Sequence, residues 1–219
     1  MYRRSWSLLL VWLAVAVAVR AAELPEGFVA LFDGKSLEGW QLVGSKKECW
    51  QAEKGLLVCT GGGGGWLMSR RQYSDFELRL DYRLQSGANS GVAIRSPLKG
   101  RPSTVGMEIQ ILDDPWYHKN LKGFKPTQQT GAIYGMVPPS KVPSKPAGEW
   151  NTMHIRCEGS RVKVVINAQT VVDTDLTTLH DKYAKVNPGI LRTAGHIGLQ
   201  DHGGRLEFRN LMIREIKSN

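Results

Sequence analysis

Hydrophobic and polar residues alternate along most of this chain. Segments with a period of two recur between clusters of turn residues, whereas no stretch of ten or more residues keeps the apolar spacing of a helix. The predicted strands cover residues 28–32, 50–52, 56–59, 76–84, 91–95, 106–111, 131–134, 150–158, 161–166, 169–173, 195–200 and 206–216. About twelve strands are typical of two stacked antiparallel sheets, so we expect an all-β sandwich.

Between the strands, residues 61–65 are five consecutive glycines and predict a flexible loop. Residues 113–130 and the proline-rich residues 137–146 are expected to be long loops at an edge or mouth of the sandwich. Long loops with aromatic and charged residues are frequently binding loops. A short helix is expected over residues 178–185.

The first 22 residues have the pattern of a secretory signal. Arg3 and Arg4 precede an apolar run over residues 8–19, and Val19-Arg20-Ala21 offers a small-residue cleavage site. Twelve apolar residues fall short of the roughly 20 needed to span a bilayer. We therefore expect a periplasmic or secreted protein without stable membrane insertion, whose mature chain forms one domain over residues 23–219.

Charge is positive but dispersed. The sequence has 29 Lys and Arg against 20 Asp and Glu, a net charge of +9, and three of these arginines lie in the predicted signal. The basic residues are spread along the chain and form no run, which disfavours nucleic-acid binding.

The three cysteines are Cys49, Cys59 and Cys157. A three-residue hairpin loop at residues 53–55 would set Cys49 opposite Cys59 in a non-hydrogen-bonded pair, where a disulfide is sterically possible. The alternative is two thiols on a half-buried sheet face. Cys157 lies among apolar residues, so we expect a buried, inert thiol.

Sorting strand residues by face reveals an unusual polar set. The residues that alternate with the apolar ones on four strands are Asn89, Arg95, Glu108, Gln110, His154, Arg156, His196, Gln200 and His202. Small residues such as Gly91, Ala93 and Gly198 lie between them, as expected where a ligand approaches the backbone. Any one of these histidines can equally be structural, but together they favour a concave site.

The sequence also contains residue types that suit a metal site or a hydrolase. Glu108, His154 and His202 have the ligand types of a divalent metal site, although no short metal-binding spacing is present. Asp113-Asp114 can bind Ca²⁺ or cap a turn, and the turn is favoured. The sequence contains no Gly-x-Ser-x-Gly motif, so a serine hydrolase with this nucleophile elbow is not supported.

Six motifs in this order resemble the 3-keto-disaccharide hydrolase domain family, once catalogued as a domain of unknown function. They are FDGKSLEGW at residues 32–40, NSGVAIR at 89–95, GMEIQILD at 106–113, TGAIY at 130–134, GEWN at 148–151 and GLQDHG at 198–203. The resemblance runs from about residue 27 to residue 216. It implies a concanavalin-A-like jelly-roll sandwich that acts on glycosides oxidised at C3, by hydrolysis or by elimination across C1–C2.

Such chemistry needs a base near C2, a donor at the 3-oxygen and an acid for the leaving group. His202 or His154 suits the base, Glu108 an acid/base or metal role, and Tyr134 donation to the leaving oxygen. The expected substrate-binding residues are Asn89, Arg95, Gln110, Gln200, Trp116 and Tyr117. The last two offer flat faces for a sugar ring, or else form a small loop core.

A conventional two-carboxylate glycosidase is disfavoured, because only Asp113 and Asp201 lie near Glu108 as acidic partners. The competing class is a non-catalytic, lectin-like carbohydrate-binding module, since the fold alone does not decide function. An enzyme of the first kind implies an upstream sugar 3-oxidoreductase as a functional partner.

Overall fold

The computed structural model describes residues 24–46 and 48–217. The signal predicted for residues 1–22 therefore lies outside the described residues. Within the described ranges, no helix has the length and apolar character required to cross a membrane.

The chain forms two antiparallel sheets that pack face to face. The large sheet contains β1 (Val29–Ala30), β3 (Trp50–Glu53), β4 (Leu56–Cys59), β6 (Phe76–Leu84), β9 (Asn151–Glu158), β10 (Arg161–Ile166), β11 (Gln169–Asp175) and β13 (Leu206–Glu215). Its strand order is β11-β10-β9-β6-β13-β4-β3, with β1 paired to β13.

The small sheet carries the chemistry discussed below. It contains β2 (Trp40–Val43), β5 (Trp66–Tyr73), β7 (Asn89–Ser96), β8 (Met107–Leu112) and β12 (Gly195–Gln200), in the order β2-β5-β12-β7-β8. Three short α-helices, α1 (Pro102–Val105), α2 (Asp114–Asn120) and α3 (His180–Tyr183), and 3-10 turns at Pro126–Gln128 and Leu176–Leu179 lie in the connections. This architecture is the expected concanavalin-A-like jelly-roll sandwich.

The core lies between the sheets. Ile109, Ile111 and Val92 of the small sheet belong to the same buried cluster as Leu78 and Ile155 of the large one. Most of these residues alternate with polar neighbours, and Val92 with the small Gly91 and Ala93, so the apolar face of each strand points inward and the other face points outward.

Two strands were missed by the sequence analysis, β2 and β5. The start of β5, Trp66-Leu67-Met68, is buried on both faces: Leu67 joins the main core, whereas Trp66 and Met68 form a second cluster with Ala93. A strand that is apolar on both faces shows no alternation, so a period-two pattern cannot reveal it. The expected helix near residues 178–185 is present as α3.

The hairpin between β3 and β4 differs from its prediction by one residue. Its turn is Lys54-Gly55, with φ of 51° and 80°, which is a two-residue connection and not a three-residue one. Trp50 therefore faces Cys59, and Cys49 lies one position beyond. The predicted Cys49–Cys59 register is wrong, and both residues are free, buried thiols, so the predicted disulfide is absent. Cys157 is buried, as expected.

Candidate active site

Glu108 lies on the outer face of the small sheet, in the middle of β8. Across the ladder, Ala93 of β7 pairs with Glu108, and Gly91 pairs with Gln110. A Cβ atom added to Gly91 would lie 2.4 Å from Glu108 Oε1. The glutamate side chain therefore lies against Gly91 and fills the space that the side chain of any larger residue at position 91 would need.

The Glu108 carboxyl is only 4% exposed. Burial raises its pKa to about 7, against the opposing influence of the Arg101 charge and of hydrogen bonds with Ser103 and Gln200. A carboxyl with this pKa exists in both protonation states at neutral pH, so it can accept and return a proton. Helix α1 and its N-cap bring Arg101 and Ser103 over this face.

A chain of amides connects the floor of the site to His202. Gln110 Nε2 donates to Ser90 O at 2.9 Å and to Asn89 Oδ1 at 2.7 Å, and Asn89 Nδ2 is 3.3 Å from His202 Nδ1. The Ser90 carbonyl fixes the Gln110 amide, which in turn fixes the Asn89 amide with its nitrogen toward His202. His202 Nδ1 is then the acceptor, so the neutral ring carries its proton on Nε2.

Tyr134 lies beside Glu108 at the edge of the small sheet. The segment around it pairs with β8 through an Ile109–Ile133 bridge, and Tyr134 N donates to Glu108 O at 2.9 Å. Ile133 faces the core, and Tyr134 follows it in a turn with its side chain half-buried. Its hydroxyl accepts from Gln128 Nε2 at 3.4 Å.

A hollow of about 440 Å³ opens beside His202 and beside Arg101 and Gln200, the neighbours of Glu108, although Glu108 itself is not among its lining residues. Its lining consists of Lys46, Gly62, Gly63, Gly64, Gly65, Trp66, Arg101, Gln200, Asp201, His202 and Gly203. Asp201 Oδ2 accepts from Gly63 N and Gly64 N, both at 2.7 Å, and holds the glycine loop as one wall. The predicted loop at residues 61–65 is therefore part of the site.

The prediction that His154 shares this face is wrong. His154 lies on β9 of the large sheet, where its Nε2 is 3.3 Å from Glu77 Oε2. Alternation correctly indicated that the ring points away from the core, but the sandwich has two outer faces. His154 lines a different hollow of about 990 Å³ on the large sheet. Arg156 lies on the same face and also pairs with Glu77.

The placement predicted for Arg95 is also wrong. The pairing of β7 with β12 shifts between His196 and Gly198, and Arg95 has a φ of 48° there. Such a bulge reverses the alternation, which turns this side chain away from the site. Its guanidinium, 1% exposed, donates to the carbonyls of Ser74 and Gly159 and to Asp75 Oδ1. Arg95 therefore ties loops together.

His196 is placed on β12 but is buried. Its Nδ1 lies 2.7 Å from the Ser69 carbonyl oxygen, so one ring nitrogen is used in a bond to the neighbouring strand. This contact is typical of a structural histidine.

The predicted aromatic pair lies on α2. Trp116 is 41% exposed and packs over Gly87, where an added Cβ would lie 3.2 Å from its ring. Tyr117 packs between Trp116, at a centroid distance of 5.0 Å, and Phe124, at 5.9 Å. Each of the two expectations therefore holds for one residue of the pair. Tyr117 belongs to a small loop core, whereas Trp116 keeps an exposed ring over Gly87, two residues before the start of β7.

The adjacent Asp113 and Asp114 act as turn and capping residues, as favoured from the sequence. Asp113 accepts from Trp116 N at the start of α2 and from Gly87 N. Asp114 Oδ1 accepts from Thr130 N. These bonds anchor α2 beside the site.

The predicted metal set does not converge, because His154 lies on the other sheet. In the described ranges, the one group of three metal-ligand side chains within 4.8 Å of one another is Cys49, Cys59 and Asp201, which includes neither Glu108 nor His202.

Arg101 and Ser103 were missed as functional residues. They lie in the connection between β7 and β8, which has no periodicity, so only folding of this segment over Glu108 reveals their role. Lys46 and Trp66 were missed as well. They flank the glycine loop and reach the hollow only because the loop folds over it.

A jelly-roll sandwich with a buried acid/base carboxyl, fixed amides and a glycine-walled hollow on its small sheet defines the class of this protein. A family model described as the 3-keto-alpha-glucoside-1,2-lyase-like domain matches residues 27–214. The chain belongs to this family, which confirms the resemblance inferred from its motifs.

Three relatives are similar over most of the chain. A 3-keto-disaccharide hydrolase from Bacteroides thetaiotaomicron is 26% identical, with 92% of this chain and 83% of that protein aligned. Two crystal structures of Parabacteroides distasonis proteins, provisionally described as glycosyl hydrolases, superpose with TM-scores of 0.77 and 0.74. Their identities are 26% and 30%, and the matches cover 88% and 86% of this chain and 95% and 99% of theirs.

Proposed function

We propose that this protein cleaves the glycosidic bond of 3-keto-glycosides, including 3-keto-disaccharides. The observation that carries the proposal is the Glu108 carboxyl, 4% exposed, with a pKa of about 7, on a floor of fixed amides beside an open hollow. Family membership and the Bacteroides thetaiotaomicron relative support a glycoside-cleaving type of activity.

The first step is removal of the C2 proton. A carbonyl at C3 acidifies this proton, and the ionised Glu108 accepts it as a general base. The electron pair of the C2–H bond becomes an enolate with charge on the 3-oxygen. Arg101, which acts on Glu108 through its charge, is the cation available to stabilise this oxygen.

In the second step the enolate expels the C1 oxygen. The C1–O bond breaks, a C1–C2 double bond forms, and the leaving oxygen takes a proton. His202, with its proton on Nε2, and the Tyr134 hydroxyl are the donors for that oxygen. Addition of water, its hydroxyl to C1 and a proton to C2, completes hydrolysis; release before this addition gives elimination.

Substrate hydroxyls are bound by the amides of Asn89 and Gln200, whereas the buried Gln110 acts beneath them by fixing the Asn89 amide. Trp116 supplies an exposed ring for stacking at the Asn89 end of the site. Within this proposal Glu108, His202 and Tyr134 are the catalytic residues, and a divalent metal at Glu108 is not required for the proton balance.

We also propose that the protein is exported. A signal over residues 1–22 would direct the domain at residues 23–219 to the periplasm or the medium. Because the substrate must already carry a C3 ketone, a sugar 3-oxidoreductase has to act upstream.

The deciding experiment incubates the purified protein with a 3-keto-disaccharide and with the same disaccharide before oxidation. We expect turnover of the oxidised sugar alone, and slower turnover when C2 carries deuterium. Binding of either sugar without turnover would instead indicate a lectin-like module. Equal turnover of both sugars would contradict the elimination route, because an unoxidised sugar has no acidic C2 proton.

A further inference from the structure

Three ligand-type side chains meet outside the proposed catalytic groups. The Sγ atoms of Cys49 and Cys59 and a carboxylate oxygen of Asp201 all lie within 4.8 Å of one another. The three residues are 3%, 0% and 2% exposed, respectively. No step of the proposed reaction uses either thiol.

The fold brings them together from both sheets. The Lys54-Gly55 turn leaves Cys49 just before β3 and Cys59 at the end of β4, in the large sheet. Asp201 directly follows β12 of the small sheet, and Cys49 Sγ donates to its Oδ2 at 3.2 Å. The cluster therefore joins the two sheets beneath the glycine loop.

The carboxylate is already held in place by backbone donors. Oδ2 accepts from Gly63 N and Gly64 N at 2.7 Å, and Oδ1 accepts from Gly203 N at 3.1 Å. Burial alone would raise the pKa of Asp201, but these bonds and the one from Cys49 lower it. An ionised carboxylate with its own set of donors is the preorganisation that a metal ligand needs.

The donor set and its spacing suit a thiophilic divalent cation. Two thiolates and a carboxylate are ligands of Zn²⁺, and Zn–S bonds of about 2.3 Å place two sulfurs about 3.8 Å apart in a tetrahedron. That separation is compatible with the observed limit of 4.8 Å.

An entry route is present as well. Asp201, Gly63 and Gly64 line the 440 Å³ hollow of the candidate active site, so solvent reaches the cluster on the side of its carboxylate, whereas Cys49 and Cys59 are not among the lining residues. Ligand identity, a bonded outer set of donors and an access path are the features that a metal site must show.

We propose that Cys49, Cys59 and Asp201 form a structural site for a thiophilic divalent cation, Zn²⁺ foremost, that braces the glycine loop against the two sheets. On binding, the cation displaces one proton from each thiol and keeps the carboxylate, so two protons are released for each cation bound.

The test uses the full purified protein after reduction, with Zn²⁺ or Co²⁺ alone as the probe. We expect one equivalent of Zn²⁺ to bind, with release of two protons and a higher midpoint of thermal unfolding. Co²⁺ is expected to give a thiolate-to-metal charge-transfer band, which only sulfur ligation produces.

Variants then locate the site. Cys49→Ser and Cys59→Ser should each weaken Zn²⁺ binding at least ten-fold, whereas Cys157→Ala, a change at the third buried thiol, should bind as the wild type does. Absence of the Co²⁺ band in the reduced wild-type protein would overturn the proposal without any variant. An unchanged band in Cys59→Ser would overturn it too. Since neither readout involves sugar turnover, failure here is separable from failure of the proposed enzyme activity.

Discussion

Glu108 and Glu77 are two glutamates with the same burial and opposite electrostatics. Each is 4% exposed and lies on the outer face of its sheet. Burial alone would raise the pKa of Glu77, but the charges and hydrogen bonds of Arg214 and Arg156 lower it. His154 Nε2 lies 3.3 Å from Glu77 Oε2, and burial lowers the pKa of that ring. Among the residues that the structure describes, none forms an ion pair with Glu108, so burial prevails and its pKa rises to about 7.

Neighbours therefore decide which buried carboxylate can do chemistry. Glu77 stays ionised and serves as the hub of a surface ion-pair network, whereas Glu108 is poised to exchange a proton. The hollow beside Glu77's face is the larger of the two, about 990 Å³ against 440 Å³. Size alone would therefore favour the large-sheet face, which carries neither Glu108 nor the amides of the candidate site.

The largest expected effect separates these two carboxylates directly. Glu108→Gln keeps the shape of the side chain but removes the base, and we expect the rate on a 3-keto-glycoside to fall about 10³-fold. The matched control, Glu77→Gln, should keep activity within a few-fold. It should lose about 2 kcal/mol of stability, because Arg156 and Arg214 remain together without their partner. Steady-state kinetics and urea unfolding measure both; a fully active Glu108→Gln would refute the assignment.

The pH dependence of stability sharpens the same contrast. Between about pH 4.5 and pH 7 the folded protein retains a proton on Glu108 that the unfolded chain has lost, so this group makes stability fall as pH rises, by about 3 kcal/mol across the window. Glu77 has the opposite sign: its contribution is present above the unfolded pKa and is lost as pH falls below about 4.5.

Unfolding free energies at about pH 5 and about pH 7.5 test this prediction. The stability of Glu108→Gln relative to wild type should rise between these two values. In the same window kcat/KM should increase with pH toward a plateau above about 7, since the base must be ionised. A flat difference for Glu108→Gln would mean that its carboxyl titrates normally.

Gly91→Ala is the next expected effect in size. The added Cβ would lie 2.4 Å from Glu108 Oε1, so the carboxylate must move, and a misplacement of this size costs about 10²-fold in rate. Gly198→Ala is the matched control on the same sheet face, where the added Cβ meets the flexible Met68 side chain. Both variants should lose stability through overpacking. Only Gly91→Ala should also turn over substrate more slowly, because only this change displaces the Glu108 carboxylate.

The smallest expected effect compares two histidines. His202→Ala removes a hydrogen-bond donor at the leaving oxygen and should slow turnover about ten-fold. His154→Ala changes the other sheet and should leave turnover unchanged. An equal loss of turnover in both variants would indicate a general effect on folding. A loss of turnover in His154→Ala alone would indicate that the active site lies on the large sheet.

Much of the fold was accessible from local patterns. Alternation in β6, β8, β9 and β12 correctly separated core residues such as Ile109 and Ile155 from outward residues such as Glu108 and His154. The pattern failed where its physical basis fails. The bulge at Arg95 reverses the alternation, the two-residue turn at Lys54-Gly55 shifts a hairpin by one position, and the strand that begins at Trp66 is apolar on both faces.

The candidate site was predicted in part. Glu108, Gln110, Asn89 and His202 were grouped correctly because they lie on strands of one sheet that pair with each other or end side by side. His154 was grouped with them only because it also points outward. Arg101 and Ser103 could not be found, since they reach Glu108 from a connection that carries no periodic signal.

The sequence by itself determined the family, the all-β class and the inward or outward direction of most strand side chains, because these depend on motifs and on the period of a strand. Only the tertiary structure decided which outward faces coincide, since strand order and bulges are set by contacts between distant residues. It also decided the protonation behaviour of Glu108 and Glu77, because the pKa of a carboxyl depends on the water and the charges that the folded chain leaves around it.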